Sequence, residues 1–233
     1  MDKSYYYLAI QAYFEGVTGF HPHNFIDLLF LRDLIPAYFW IFPGVKGKSN
    51  VGLGFPYTDL LGKRISLKKE LFRIIKEYPE VSFRFRNATL ASDPKARGLA
   101  ISRKLQELSG DRFLLLGDAA LLVDPFTGEG VGNAMASAES AAFIIRDCLH
   151  TGDFSAVSLS AYDRRISRRM GMEHSTSAAM QRYARHAWLF NLVVRKANRH
   201  KSFKELLASA LSNDMVRLKL ANPLFYARLF FGR

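Results

Sequence analysis

The sequence predicts an α+β protein in which an antiparallel sheet with one helix comes first, a short strand and a long helix follow, and a helical tail ends the chain. Three observations carry this prediction. Aromatic and β-branched runs joined by short turns fill the first sixty or so residues, and such connections suit antiparallel strands, because parallel ones need long crossovers. The apolar run Leu114-Leu115-Leu116 has no helical spacing and leads through a glycine-rich stretch into a helical pattern. Beyond that point nearly every segment has helical periodicity. The corresponding regions are 1–110, 111–150 and 151–233.

In chain order, Tyr5 to Phe14 reads as a strand broken at Glu15-Gly16, Phe25 to Leu31 as a second strand and Ala37 to Phe42 as a third. Gly44 to Ser49 is a turn, and Asn50 to Phe55 completes a hairpin with the third strand. Ser66 is the expected N-cap of a helix from Leu67 to Tyr78, with Leu67, Leu71, Ile74 and Ile75 on its apolar face, and Pro79 is expected to end it. After Val81 to Phe85 the pattern turns irregular until a buried strand, Arg112 to Leu116. Helices follow at Glu129–Leu149, stopped by Thr151-Gly152-Asp153, at Tyr162–Arg185, from Ala187, and at Phe203–Leu211.

A chain of 233 residues, 49% hydrophobic, buries a sizeable core and is not disordered. It contains no uncharged apolar run of about 18 residues, and its first residues lack signal-peptide form, so a cytoplasmic location is expected. The single cysteine, Cys148, excludes an intrachain disulfide framework and a cysteine-cluster metal site, and its place late in a helix marks it as a structural thiol. No metal site is expected: His21 and His23 flank Pro22 in a turn, and His174, His186 and His200 are expected on polar faces of the tail helices. The net charge of +12 belongs to the tail, since residues 1–150 carry 18 basic against 16 acidic groups and residues 151–233 carry 15 against 5. No nucleic-acid-binding signature accompanies it.

The most informative stretch is Leu114 to Gly132, LLLGDAALLVDPFTGEGVG. The Asp118 carboxylate at the end of a strand accepts hydrogen bonds from sugar-type hydroxyls. Glycines at a helix start let a ligand approach backbone N–H groups at the positive end of the helix dipole. The residues suit a ligand that carries both hydroxyls and negative charge.

This stretch resembles the second FAD-binding motif of flavoproteins related to para-hydroxybenzoate hydroxylase, and most closely that of the geranylgeranyl reductase family, roughly G-D-A-A-G-x-x-x-P-x-x-G-E-G. Gly117, Asp118, Ala119, Ala120, Pro125, Gly128, Glu129 and Gly130 match in order; Leu121 departs, standing where the family has glycine, which implies a differently shaped turn or a backbone held further from the cofactor. The resemblance implies that Asp118 hydrogen-bonds the ribityl chain of FAD and that Pro125 lies beside the isoalloxazine ring. It implies also that Gly130 and Val131, with Gly132 next to them, offer N–H groups to the flavin's pyrimidine edge. It gives Glu129 no certain proton-transfer role, and no catalytic residue is identified.

A second likeness lies in Tyr38-Phe39-Trp40-Ile41-Phe42-Pro43 followed by Val51-Gly52-Leu53-Gly54, which resembles the family's Y-x-W-x-F-P and V-G-x-G. On a strand Tyr38, Trp40 and Phe42 share one face. Three aromatics there either line a pocket for an unsaturated hydrocarbon or belong to the core; the resemblance places them on the substrate side of the flavin.

Enzymes of this class open with a βαβ unit carrying G-x-G-x-x-G for the pyrophosphate, and this sequence holds none. The expectation is therefore the C-terminal portion of such an enzyme: substrate-domain sheet, last strand and helix of the FAD-binding domain, and helical tail, with the N-terminal Rossmann βαβ missing. A truncation, a split gene with that half on a separate chain, or a mis-called start would each produce this. The resemblance implies an FAD-dependent reductase, recharged by NAD(P)H or another donor, that saturates C=C bonds of an isoprenoid chain. A flavin monooxygenase or halogenase acting on an aromatic or quinone-like substrate is the alternative, and an inactive or binding-only remnant a further one. For a lipid-borne substrate, the tail offers peripheral attachment to an anionic membrane: Trp188, Leu189, Leu192 and Val193 at helical spacing, then Arg195, Lys196, Arg199 and Lys201, and an apolar end with Leu224, Phe225, Arg228, Leu229, Phe230 and Phe231.

Overall fold

The computed structural model describes residues 6–63, 65–102, 105–209, 222 and 224–225. It is a mixed helix-and-sheet structure that divides into two compact units, Met1–Leu99 and Ala100–Arg233.

The first unit is built on a twisted antiparallel sheet of β1 (Tyr6–Glu15), β2 (Asp27–Leu29), β3 (Tyr38–Pro43), β4 (Lys48–Pro56) and β5 (Thr89–Leu90), in the order β2-β3-β4-β1-β5, with β6 (Lys95–Ala100) also paired to β1. The expected hairpin is present as β3–β4, with Trp40 opposite Gly52 and Tyr38 opposite Gly54. β4 pairs on its other side with the first strand, from Tyr7↔Pro56 to Glu15↔Lys48. Because strand side chains alternate, Phe39, Ile41, Val51, Leu53, Phe55, Ile10 and Ala12 all project from one face. They form the core with Leu71 and Ile74, the buried residues of α2 (Leu67–Glu77). The short α1 (Tyr57–Lys63) leads from β4 toward it.

Several expectations are corrected here. The second strand is three residues long, not seven, because β2 is an edge strand paired only with β3 and the chain turns away on both sides. Phe25 and Ile26 are exposed accordingly. Ser66 occupies the N-cap of α2 but makes no side-chain cap hydrogen bond. Pro79 ends α2 by forcing Tyr78 into extended conformation, yet it also opens α3 (Pro79–Ser82), since its fixed φ and missing N–H suit the first helical turn. The stretch read as irregular holds β5, β6 and β7 (Ser109–Gly110).

In the second unit, the expected buried strand Arg112–Leu116 shrinks to β8 (Phe113–Leu114), paired only with β7. Leu115 is 37% exposed, because a strand with one short partner has little to cover its outer side chains. Helices α4 (Val131–Thr151), α5 (Ala156–Ala184), α6 (Ala187–Arg199) and α7 (Lys201–Ser209) follow; α5 begins six residues before its expected start at Tyr162, at an N-cap where Ser155 Oγ accepts from Ser158 N, and the last two residues of the fourth expected helix and nearly all of the apolar end lie outside the described residues. Gly152, at φ +72, caps α4, a left-handed conformation glycine adopts without penalty. The core lies between α4 and α5, where Ala141, Tyr162, Ile166 and Met170 meet Leu108, Ala120 and Leu122. Tyr162 donates to Leu115 O at 2.9 Å, and the Asp163 carboxylate accepts from Leu108 N at 2.6 Å and from the Ser109 hydroxyl, which fixes the β7–β8 hairpin to α5. Cys148 is buried, as expected of a structural thiol. His174 is not on a polar face: it is 4% exposed, with Nε2 2.6 Å from Ser102 O, because its position on α5 turns inward. Among the described residues no helix is long and apolar enough to cross a membrane.

Candidate functional site

The glycine-rich stretch folds as a tight turn followed by a braced loop and a helix start, all within the second unit. Gly117–Ala120 form one 3-10 turn, and Gly117 is buried at φ +54, where its N–H donates to Ser137 Oγ at 3.1 Å. A Cβ on Gly117 would stand 3.0 Å from the Cβ of Ala134, so the glycine and a small helix residue let the turn lie directly on the first turns of α4. Leu121 then takes φ +56, the left-handed region that costs an L-residue roughly 1–2 kcal/mol. The position at which the family pattern has glycine therefore does need a left-handed backbone, and this chain meets the need with leucine at the expense of strain.

Asp118 and Ala119 are exposed. A Cβ on Gly130 would come within 3.3 Å of Asp118 Oδ1, so the absent side chain of Gly130 leaves room for the carboxylate beside the N-cap of α4. Glu129 folds forward, and its Oε1 accepts from Gly132 N at 2.6 Å, a carboxylate placed where the helix dipole favours negative charge. Ala134 N donates to Gly130 O at 2.8 Å in the first bond of α4, so the N–H groups of Gly130 and Val131 have no acceptor within the helix.

The loop between turn and helix is organised by Asp124, which the motif reading passed over. Its side chain is 4% exposed; Oδ1 accepts from Phe126 N at 2.9 Å, Thr127 N at 2.7 Å and Thr127 Oγ1 at 3.0 Å, and Oδ2 from Ser177 Oγ at 2.6 Å. Gln181, one turn further along α5, donates to Pro125 O at 2.8 Å, and Asn133 donates to Leu122 O at 2.8 Å. Pro125 is buried and Gly128, at φ +73, closes the loop. The Asx turn was readable in Asp-Pro-x-Thr, whose aspartate side chain mimics a backbone turn. Ser177 and Gln181 carry no local signal, because their partners lie more than fifty positions away.

The sheet aromatics form a separate group in the first unit. Phe30, Tyr38, Trp40 and Phe42 stand in a ladder with ring centroids 6.0, 5.9 and 6.0 Å apart, on the face opposite the core. The Trp40 indole lies over the neighbouring strand: a Cβ on Gly52 would fall 2.3 Å from the ring and 2.3 Å from Ile10 O, while one on Gly54 would reach the ring only at 3.9 Å. The paired glycines of Val51-Gly52-Leu53-Gly54 are thus the floor on which the indole rests. Trp40 Nε1 donates to Asn50 Oδ1 at 2.7 Å, and Asn50 Nδ2 donates to Gln11 Oε1 at 3.1 Å. Tyr38 and Phe42 are half-buried, and Trp40 is 8% exposed, so this face presents aromatic surface held in a fixed orientation.

Among the described residues no group of three His, Cys, Asp or Glu side chains is placed to hold a metal ion. The donors of the glycine-rich stretch do fit the group that the motif implies: an exposed carboxylate for hydroxyls, beside a glycine-bounded helix end for an anionic edge.

No family model matches the chain. The digeranylgeranylglycerophospholipid reductase of Thermoplasma acidophilum is 30% identical over 146 residues, which are 62% of this chain and 35% of that protein. A geranylgeranyl bacteriochlorophyll reductase-like structure, also from Thermoplasma acidophilum, matches all of this chain and 56% of its own with a TM-score of 0.73 at 20% identity. A triple-mutant form of the flavin-dependent brominase Bmp2 matches with a TM-score of 0.65 at 20% identity, over 97% of this chain and 55% of its own. The chain is thus similar in sequence to a digeranylgeranylglycerophospholipid reductase and shares its fold with the reductase-like structure, and it spans about a third of the length of the curated protein it matches.

Proposed function

We propose that this chain is part of an FAD-dependent reductase that saturates C=C bonds of an isoprenoid chain. The observation that carries the reading is the turn at Gly117–Leu121 laid against the start of α4, with the Asp118 carboxylate beside Gly130. Asp118 would hold the ribityl hydroxyls, and the N–H groups of Gly130 and Val131 would face the anionic edge of the ring; Asp124, Ser177 and Gln181 keep that loop in place. When bound, reduced FAD supplies the hydride, with NAD(P)H or another donor restoring it. Tyr38, Trp40 and Phe42 supply a rigid aromatic surface suited to a polyprenyl chain and able to exclude water.

The partner that would complete the cofactor site is a βαβ half carrying the pyrophosphate-binding glycines. Its support is a stripe along α4, where Val131, Met135, Ile145 and Leu149 recur on one face and are 75%, 69%, 40% and 67% exposed. Contiguous apolar surface of this kind marks an interaction site. The tail would rest on an anionic membrane: α6 holds no buried residue, Trp188 near its start is 67% exposed, and Arg195 and Lys196 follow about two turns later. Salt-sensitive co-sedimentation with anionic but not neutral liposomes tests that part.

The central test is reconstitution with a βαβ half, followed by the visible spectrum and by analysis of polyprenyl lipids for saturation. Flavin retention that falls in Asp118→Ala by about 1.5–3 kcal/mol of binding free energy supports the assignment. Unchanged retention overturns it. Oxygen or halogen incorporated in place of hydrogen would favour the second reading, a monooxygenase or halogenase, which the fold likeness to the brominase supports.

A further inference from the structure

Helix α5 carries two arginine pairs one turn apart, Arg164-Arg165 and Arg168-Arg169, and all four side chains line a groove of about 460 Å³ against α4, with Ile144 and Ala161 as its apolar walls. Arginines at these spacings share one helix face and repel each other. Three of the four are nevertheless held by neighbours. Arg164 donates to Ser160 Oγ at 2.8 Å, and Arg165 stacks over the Phe143 ring at 4.7 Å, on which Arg146 also lies at 5.5 Å. Arg169 pairs with Glu139 at 2.5 Å.

Among the described residues, that contact is the single ion pair made by the four arginines. Asp147 is engaged by Arg146, and Asp163 is turned away toward Leu108 and Ser109. The hydrogen bond and charge of Arg169 hold the Glu139 carboxyl below its ordinary range, with Arg165 adding to the effect, as a positive field requires. Three of the four guanidinium groups that line this concavity therefore have no carboxylate in ion-pair contact among the described residues, and Arg165 acts on Glu139 only at longer range. Guanidinium forks match phosphate oxygens in pairs, and several around one groove suit a doubly charged group better than a halide or a single carboxylate.

We propose that the groove between α4 and α5 binds the phosphate of a phosphate ester, with Ile144 and Ala161 against the ester's carbon portion. The inference goes beyond the reductase reading and does not depend on it, since neither FAD nor an isoprenoid enters the argument. The phosphate belongs either to a lipid headgroup or to a soluble ester.

The test uses the full chain and two probes: glycerol phosphate by titration calorimetry, and phosphatidylcholine vesicles with or without phosphatidic acid by co-sedimentation. Saturable binding of either probe, weakened at least about tenfold in Arg165→Ala/Arg168→Ala and less in Arg165→Lys/Arg168→Lys, supports the site. Binding of the vesicles alone assigns a lipid headgroup, and binding of glycerol phosphate alone assigns a soluble ester. The lysine pair keeps the charge on exposed positions, so it separates loss of the fork from loss of fold, and Lys68→Ala/Lys69→Ala on α2 controls for net charge. Absence of binding to both probes overturns the proposal, as does an alanine pair that binds like the parent. Equal binding to vesicles made anionic by a fatty acid overturns the phosphate assignment.

Discussion

Ser177 donates its hydroxyl proton to the buried carboxylate of Asp124 across 2.6 Å, which ties the C-terminal third of α5 to the loop that precedes α4. Asp124 also accepts from two backbone N–H groups and from Thr127, so its removal strands several donors at once. Ser177→Ala is expected to cost about 1.5–3 kcal/mol, the range for hydrogen bonds to charged groups, and Asp124→Ala more. Thermal unfolding of the two variants and the double mutant measures this. Additive losses would show that the two side chains do not act as a pair.

Leu121 inverts a familiar order. Alanine ordinarily exceeds glycine in stability by roughly 0.5–1 kcal/mol, but at φ +56 the Cβ is the source of strain. Leu121→Gly is expected to be more stable than Leu121→Ala by about 1 kcal/mol, since both lose the same side-chain packing. Chemical denaturation of the two variants decides it, and alanine being the more stable would contradict the strain.

The glycine floor under Trp40 gives a contrast between near neighbours. Gly52→Ala places a methyl on both the indole and a backbone carbonyl and is expected to cost about 3 kcal/mol. Gly54→Ala meets only ordinary contacts and is expected to be neutral or stabilising by up to about 1 kcal/mol. In a Trp188→Phe background, which leaves Trp40 as the sole tryptophan, Gly52→Ala should also shift the emission maximum. Equal effects from the two substitutions would mean that the indole does not lie where described.

Tyr78 donates to Asp33, and Arg73 donates to the same carboxylate at 3.0 Å. Burial alone would raise the Asp33 carboxyl, but the hydrogen bonds from Tyr78 and Arg73 outweigh it and hold it below its ordinary value. Burial, and next the hydrogen bond to Asp33, raise the Tyr78 phenol. The Asp33 contribution is present above the unfolded carboxylate pKa of about 4 and is lost as pH falls below it. The Tyr78 contribution is full below about pH 10 and is lost as pH rises through the raised folded value. Tyr78→Phe should flatten the alkaline fall in melting temperature and shrink the acid one. Parallel profiles for the two proteins would refute the linkage.

The exposed stripe on α4 predicts a separation of stability from assembly. Met135→Lys and Ile145→Lys should each change stability by no more than about 0.5 kcal/mol, as exposed substitutions do. In reconstitution with a βαβ half, both should abolish flavin retention. A large loss of stability in the chain alone would mean that the stripe is already packed.

Much of this molecule is legible in its sequence because the signals are local. The β3–β4 hairpin follows from alternation around a polar turn, the end of α4 from Gly152, and the turn at Gly117–Ala120 from the spacing of its small residues. What was not legible depends on partners distant in the chain. The length of β2 is set by an edge position that its apolar residues do not reveal, and Pro79 ends one helix while beginning another. The inward turn of His174 depends on Ser102. Asn50 and Gln11, which fix Trp40, read as ordinary strand polar residues until β1 and β4 are placed side by side.

The position of β1 has a kinetic consequence. The β3–β4 hairpin joins neighbours in sequence and forms at the cost of one short loop, whereas β1, on the other side of β4, finds it only after the long intervening segment closes. Such non-local pairing slows folding, and until it occurs the unpaired edge of β4 is open to any other strand. β1 therefore precedes its partner in the chain and docks late, so a nascent chain waits for the whole of β4 to emerge before these two strands can pair.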